Sequence, residues 1–189
     1  MPSRAAILPH ALELRAILAT ACEPDRCCIA GSVRRERQEC HDLEIVALPR
    51  WDVNLLGERD QTSAALDATI DLAILSGVVA WDRETPRNGP RYKRLWLPAL
   101  GMAVDLFLAD PDNFGNILAI RTGNAAFSKF LVSGRHMRQY NHAQGYLWRD
   151  GRVVPCPTEE AFFEAIGLQW VDPRYRDACK VYELQGGSA

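Results

Sequence analysis

The chain has 189 residues, enough to bury the core of one compact domain or of two small lobes sharing a cleft. Its 48% hydrophobic and 24% charged residues are ordinary for a globular protein, and no apolar run approaches the ~20 residues that span a bilayer. A net charge of -2 argues against a protein that coats nucleic acid over its whole surface.

The first segment carries Glu13 and Arg15 inside an apolar pattern, so it reads as an amphipathic helix over 9–22 with Pro9 near its start, not as a secretory signal. With no address label, a cytosolic, membrane-free protein is expected, as a monomer. Residues 26–31 (RCCIAG) fit a buried strand, and a short helix is expected to begin at Ser32. Residues 42–48 (DLEIVAL) fit a strand and 60–76 a helix. Strands follow over 92–98 and 102–109, then helices over 111–120 and 124–138, broken at Thr122-Gly123. Asp150-Gly151 marks a hairpin turn, and a last helix spans 158–166. Helices and strands mix without regular alternation, which predicts an α+β fold with a mixed sheet. A lobe boundary is expected near 110, giving 1–110, which holds most of the sheet, and 111–189, a basic lobe with helices and a hairpin.

The charge is uneven. From Asn113 to Arg149 there is no Asp or Glu, while Arg121, Lys129, Arg135, Arg138 and Arg149 are present. A second basic run holds Arg83, Arg87, Arg91, Lys93 and Arg94 against Glu84 alone. Such patches can draw a polyanion to one face while total charge stays near zero, although solvated helix faces look the same in sequence. The six cysteines (Cys22, Cys27, Cys28, Cys40, Cys156, Cys179) form no C-x-x-C pair and are expected as reduced thiols, with a structural zinc or disulfide as the alternative.

Two features carry candidate chemistry. Asp42 and Glu44 share one face of a strand, because strand side chains alternate with period two. Like charges so placed repel, and a divalent cation removes the conflict. Asp105 is the only polar residue in MAVDLFL, a costly placement unless it is paired or bound to metal. Upstream, Gly31-Ser32-Val33-Arg34-Arg35 stands where a strand hands over to a helix. Glycine there admits a phosphate close to the backbone, Ser32 adds a hydroxyl, and one of Arg34 and Arg35 can reach a triphosphate.

Together these residues resemble the nucleotidyltransferase signature of the DNA polymerase beta superfamily, and most closely that of the family X DNA polymerases. GSVRRERQECHDLE reproduces G-S-x-R-R with the first aspartate ten residues after the serine. Val104-Asp105-Leu106 is similar to the third-aspartate strand, and Phe114-Gly115, Arg121-Thr122-Gly123-Asn124, Phe127 and Lys129 follow in the family's order. The resemblance covers about residues 4–176. The resemblance is to palm and thumb, so a minimal form without the lyase and helix-hairpin-helix regions is expected.

The resemblance implies a nucleotidyltransferase palm over 1–110 followed by a thumb-like lobe over 111–189. It implies that Asp42 and Glu44 bridge two Mg2+ (or Mn2+) ions and that Asp105 binds the catalytic one. Gly31, Ser32, Arg35 and Arg4 would contact the triphosphate of a deoxynucleoside triphosphate. Arg121, Thr122, Gly123 and Asn124 would lie against its sugar and base. Lys93, Arg94, Lys129, Arg135 and Arg138 would contact a primer-template or gapped DNA. The implied activity is a gap-filling or repair DNA polymerase. The alternatives are a template-independent transferase acting on RNA, protein or a small molecule, and a degenerate nucleic-acid-binding relative. The sequence departs from the family at five places: Glu44 for the commoner aspartate, Ala103 where an arginine usually orients the catalytic aspartate, Ile120 and Arg121 for two aromatics, Ala125, and Val132.

Overall fold

The computed structural model describes residues 1–58, 60 and 63–176. Helix α1 (Arg4–Ala19) is capped by Ser3, whose hydroxyl accepts from the Ala6 N–H at 3.3 Å. It begins five residues earlier than the sequence suggests, with Pro9 inside it. Pro9 and Ala5 are both exposed, so water can take the carbonyl that Pro9 cannot serve. Strand β1 (Cys22–Ile29) has a register irregularity between Cys22 and Cys27. A single turn of helix, α2 (Gly31–Arg34), leads to β2 (Leu43–Pro49). Helix α3 (Ala64–Leu75) starts at the Ser63 cap.

The two-residue strands β3 (Ala80–Trp81) and β4 (Arg87–Asn88) precede β5 (Tyr92–Leu97) and β6 (Met102–Leu108). Next come α4 (Phe114–Thr122), α5 (Ala125–Ser133) and a 3-10 turn over Arg135–Met137. Gly134 breaks the helix expected over 124–138. Strands β7 (Asn141–Ala143), β8 (Tyr146–Arg149) and β9 (Arg152–Val154) form a separate antiparallel meander before α6 (Glu159–Ala165), which is capped by Thr158.

The protein is α+β with a mixed main sheet ordered β1-β2-β6-β5-β3, and β4 also pairs with β5. Its central pair, β2 and β6, runs parallel, and the other pairs are antiparallel. Strands β2 and β6 are apolar almost throughout because both are covered on two sides. On one face, Leu43, Ile45, Val104, Leu106 and Leu95 pack with Leu14 and Leu18 of α1 and with Leu66 and Ile70 of α3. Fully burying each such side chain is worth about 1.5–3 kcal/mol. On the other face Val46, Leu48 and Ala109 pack under Phe114 and Leu118 of α4. A further cluster joins Phe127 and Leu131 of α5 to Leu147 and to Phe162 and Phe163 of α6.

The five described cysteines are free thiols, and Cys179 lies outside the described residues. Among the described residues no helix is long and apolar enough to cross a membrane.

Candidate active site

Parallel pairing of β2 with β6 places Glu44 directly opposite Asp105. Asp42 sits one residue before β2, in the bend that enters it. The charges of this cluster act on Asp42 and Glu44. Burial and the charges of Asp42 and Asp105 push the Glu44 carboxyl up to about 7. Burial and Asp105 also raise Asp42. Arg121, reaching over from α4, pulls Glu44 the other way.

The Gly31-Ser32 turn closes over this cluster. Gly31 has φ +61°, and a Cβ there would fall 2.0 Å from Glu44 Oε2 and 3.0 Å from its carboxyl carbon. Glycine is thus required twice, for the left-handed backbone and for contact with Glu44. Ser32 Oγ and Arg35 Nε are buried, and neither has a hydrogen-bond partner among the described residues. Two unserved donors beside paired carboxylates suit a site that takes a charged, oxygen-rich ligand. Arg4 lies nearby, its Nε donating to the Val33 carbonyl at 3.1 Å and its Nη2 standing 3.8 Å from Glu36.

Among the described residues no three His, Cys, Asp or Glu side chains stand as a ready-made metal-binding group. The side-chain directions give the reason. Glu44 is tucked against Gly31, and Asp105 turns its Oδ1 toward Tyr92 Oη (2.7 Å) and Arg94 Nη1 (3.1 Å). The donor set itself fits a hard divalent cation: three carboxylates on and just before two adjacent strands, two of them raised by burial and by their neighbours' charge.

Several other residues singled out from sequence take different places. Lys93 does not join Arg94. It faces the α1/α3 side of the sheet, 7% exposed, with its ammonium 3.0 Å from Asp67 and 2.6 Å from Asn88. Strand alternation separates the two neighbours, and Lys93, expected at a nucleic-acid contact, is paired here with Asp67 of α3. Thr122, expected against the nucleotide, is fully buried. Its hydroxyl accepts from Arg34 Nη1 (2.7 Å) and its carbonyl from Arg35 Nη1 (2.6 Å). Asn124 spends its side-chain oxygen capping α5, and Gly123 packs against Phe127 and Ser128. Arg121 lays its guanidinium 3.9 Å from the Phe107 ring centroid.

Arg121 and Ile120 line a cavity of about 600 Å³ together with Asp105, Phe107, Tyr92 and Arg91. Asp42, Glu44 and Ser32 lie outside that lining. Lys129 of α5, Arg135 of the 3-10 turn and Arg138 just after it are exposed.

Sequence reasoning missed the partners of Asp105. Arg94 is its cross-strand neighbour, Tyr92 donates to the same oxygen, and Asp82 holds Arg94 Nε at 2.8 Å. The available signal was the short β5-β6 connection, which sets the register of the two strands. Arg34, which with Glu159 and Arg176 forms a buried charge cluster, was visible only as one of two candidate phosphate contacts.

The DNA polymerase beta thumb family matches residues 117–177. DNA polymerase lambda of Rattus norvegicus is 28% identical over 182 residues, covering 85% of this chain and 30% of that protein. The chain therefore spans under a third of the length of this curated relative. The thumb match falls on α4 to α6, downstream of the strands that carry the carboxylates. These matches make the chain similar to the family X DNA polymerases, most directly in its thumb-like part.

Proposed function

We propose that the chain is a metal-dependent DNA nucleotidyltransferase. It adds nucleotides from deoxynucleoside triphosphates to a DNA 3'-hydroxyl with release of pyrophosphate, in gap filling or repair. The observation that supports this most is the direct pairing of Glu44 with Asp105 across β2 and β6, with Asp42 and the Gly31-Ser32 turn beside them. Asp42, Glu44 and Asp105 would hold two Mg2+ or Mn2+ ions, which when bound lower the pKa of the attacking hydroxyl and neutralise charge on pyrophosphate.

Ser32 Oγ and Arg35 Nε, both unserved, offer donors to the triphosphate, with Arg4 at the edge of the same turn. The palm would comprise 1–110 and the thumb-like lobe 111–189. Lys129, Arg135 and Arg138, exposed on that lobe, would meet the DNA backbone.

The test is primer extension with each nucleotide separately, on gapped, templated and single-stranded DNA, with Mg2+ or Mn2+. Templated extension that Asp105→Ala abolishes in a folded protein is expected. Extension that ignores the template base would move the protein to the template-independent reading. No incorporation on any acceptor would remove the enzymatic one.

A further inference from the structure

Asp105 is held from a neighbouring strand, and the holder is itself held. In the β5/β6 register Arg94 lies directly opposite Asp105, and Tyr92 opposite Phe107. Tyr92 Oη and Arg94 Nη1 both donate to one oxygen, Oδ1, at 2.7 and 3.1 Å. Among the described residues no donor reaches Oδ2. Asp105's own strand offers nothing comparable, since the same-face residue two positions earlier is Ala103.

The second arm of Arg94 is fixed separately: its Nε donates to Asp82 Oδ2 at 2.8 Å. Asp82, 5% exposed, is anchored by the Glu84 and Thr85 N–H groups on Oδ1 (2.9 and 3.2 Å) and by the Thr85 hydroxyl on Oδ2 (3.0 Å). We propose that Arg94 is a positioning residue that orients the Asp105 carboxylate, and that Asp82, outside the site, sets Arg94. The chain Asp82, Arg94, Asp105 leaves Oδ2 as the oxygen presented to a bound cation.

Arginine suits this role and lysine does not, because a planar guanidinium reaches two carboxylates along fixed directions whereas an ammonium is a single point. Arg94 divides its charge between Asp82 and Asp105, so it steers Asp105 without cancelling its attraction for a cation. The inference rests on the nucleotidyltransferase reading, in which Asp105 is a metal ligand.

The test uses the full chain and the variants Arg94→Ala, Arg94→Lys, Asp82→Asn and Arg94→Ala with Asp82→Asn. Asp82→Asn keeps an oxygen for the two turn N–H groups and sets an amide donor against Arg94. At saturating metal, Arg94→Ala is expected to lower kcat about tenfold or more while the nucleotide KM stays within about twofold. Arg94→Lys should remain at least about threefold below wild type, because it restores charge without the two-armed span. Asp82→Asn should lower kcat in the same direction, and the double variant should be no worse than Arg94→Ala alone.

A crystal structure of Arg94→Ala should show the Asp105 carboxylate turned from its present direction. An unchanged kcat, full rescue by Arg94→Lys, independent losses that multiply, or an unmoved Asp105 would each overturn the proposal. If the wild type transfers no nucleotide, the functional reading fails instead. The crystallographic comparison then decides the positioning role alone, an unmoved Asp105 overturning it and a turned one supporting it.

Discussion

At the scale of single residues, Glu44 is the most informative group. Its carboxyl, raised to about 7 by burial and by Asp42 and Asp105, keeps a proton that the unfolded chain releases near 4.5. The folded state therefore gains most from this group at low pH and loses that gain as pH rises through about 7. Glu44→Gln should make the metal-free protein more stable than wild type at pH 8, by about 1–3 kcal/mol in urea unfolding with chelator present. On the proposed function, divalent metal would displace the same proton. Calorimetry at pH 6 in buffers of different ionisation enthalpy should register proton release on Mn2+ binding, and affinity should climb with pH and level off above about 7. No proton release at pH 6 would separate Glu44 from the metal.

Gly31 gives a second prediction. Gly31→Ala should cost about 1–2 kcal/mol of stability for its left-handed backbone. It should cost nucleotide transfer about a hundredfold or more, because the new methyl displaces the Glu44 carboxylate. Activity falling no further than stability explains would remove Gly31 from the site. At this scale the acids were legible because their spacing is local: alternation puts Asp42 and Glu44 together, and a lone acid in an apolar strand draws notice. Arg35 and Thr122 were half-legible. Their residue types were singled out, but their bond to each other joins positions 87 apart in sequence, which no local pattern encodes.

Among elements, the contact of α4 with the start of α6 depends on one missing side chain. A Cβ on Gly115 would lie 1.9 Å from the Thr158 carbonyl oxygen and 2.8 Å from that of Cys156, and backbone cannot turn aside as a side chain can. Gly115→Ala should therefore destabilise the protein by about 3 kcal/mol, read as a lower urea midpoint. A change below about 0.5 kcal/mol would show that the contact yields freely. Helix starts were legible where a cap precedes an apolar run, as at Thr158. Helix α1 was misjudged because Pro9 looks like a first-turn proline, whereas its exposed face tolerates the lost hydrogen bond. Strands β3 and β4 have two residues each, too few for any alternation to register. Lys93 and Arg94 looked like one basic patch in a linear reading, and the pleat sends them to opposite faces.

For the molecule as a whole, Glu159 is the junction. It is 4% exposed and accepts from Nη1 and Nη2 of Arg34, each at 2.8 Å, and from Arg176, which is fully buried. Burial alone would raise its carboxyl, but hydrogen bonds from Arg176 and Arg34 outweigh burial and hold it below its ordinary value. Its stabilising contribution is therefore present above about 4.5 and is lost as pH falls through its lowered value. Glu159→Gln leaves Arg176 buried without its counter-charge and should cost about 3–5 kcal/mol at pH 7, a gap that narrows in acid. A loss below about 1 kcal/mol would mean that the cluster contributes little beyond neutral hydrogen bonding.

Neighbouring arginines of the glycine-serine turn end on different anchors: Arg34 on Glu159 and the Thr122 hydroxyl, Arg35 on the Thr122 carbonyl. The turn beneath Glu44 is consequently guyed to the far side of the cleft by two ropes of unequal stiffness. One ends on a buried ion pair and the other on a single neutral carbonyl. Were α4 to swing away from the main sheet, Arg35, tied to it only through the Thr122 carbonyl, would let go before Arg34, which is also held by Glu159 of α6. That would free the Arg35 guanidinium on the Glu44 side while the stiffer rope still fixes the pivot.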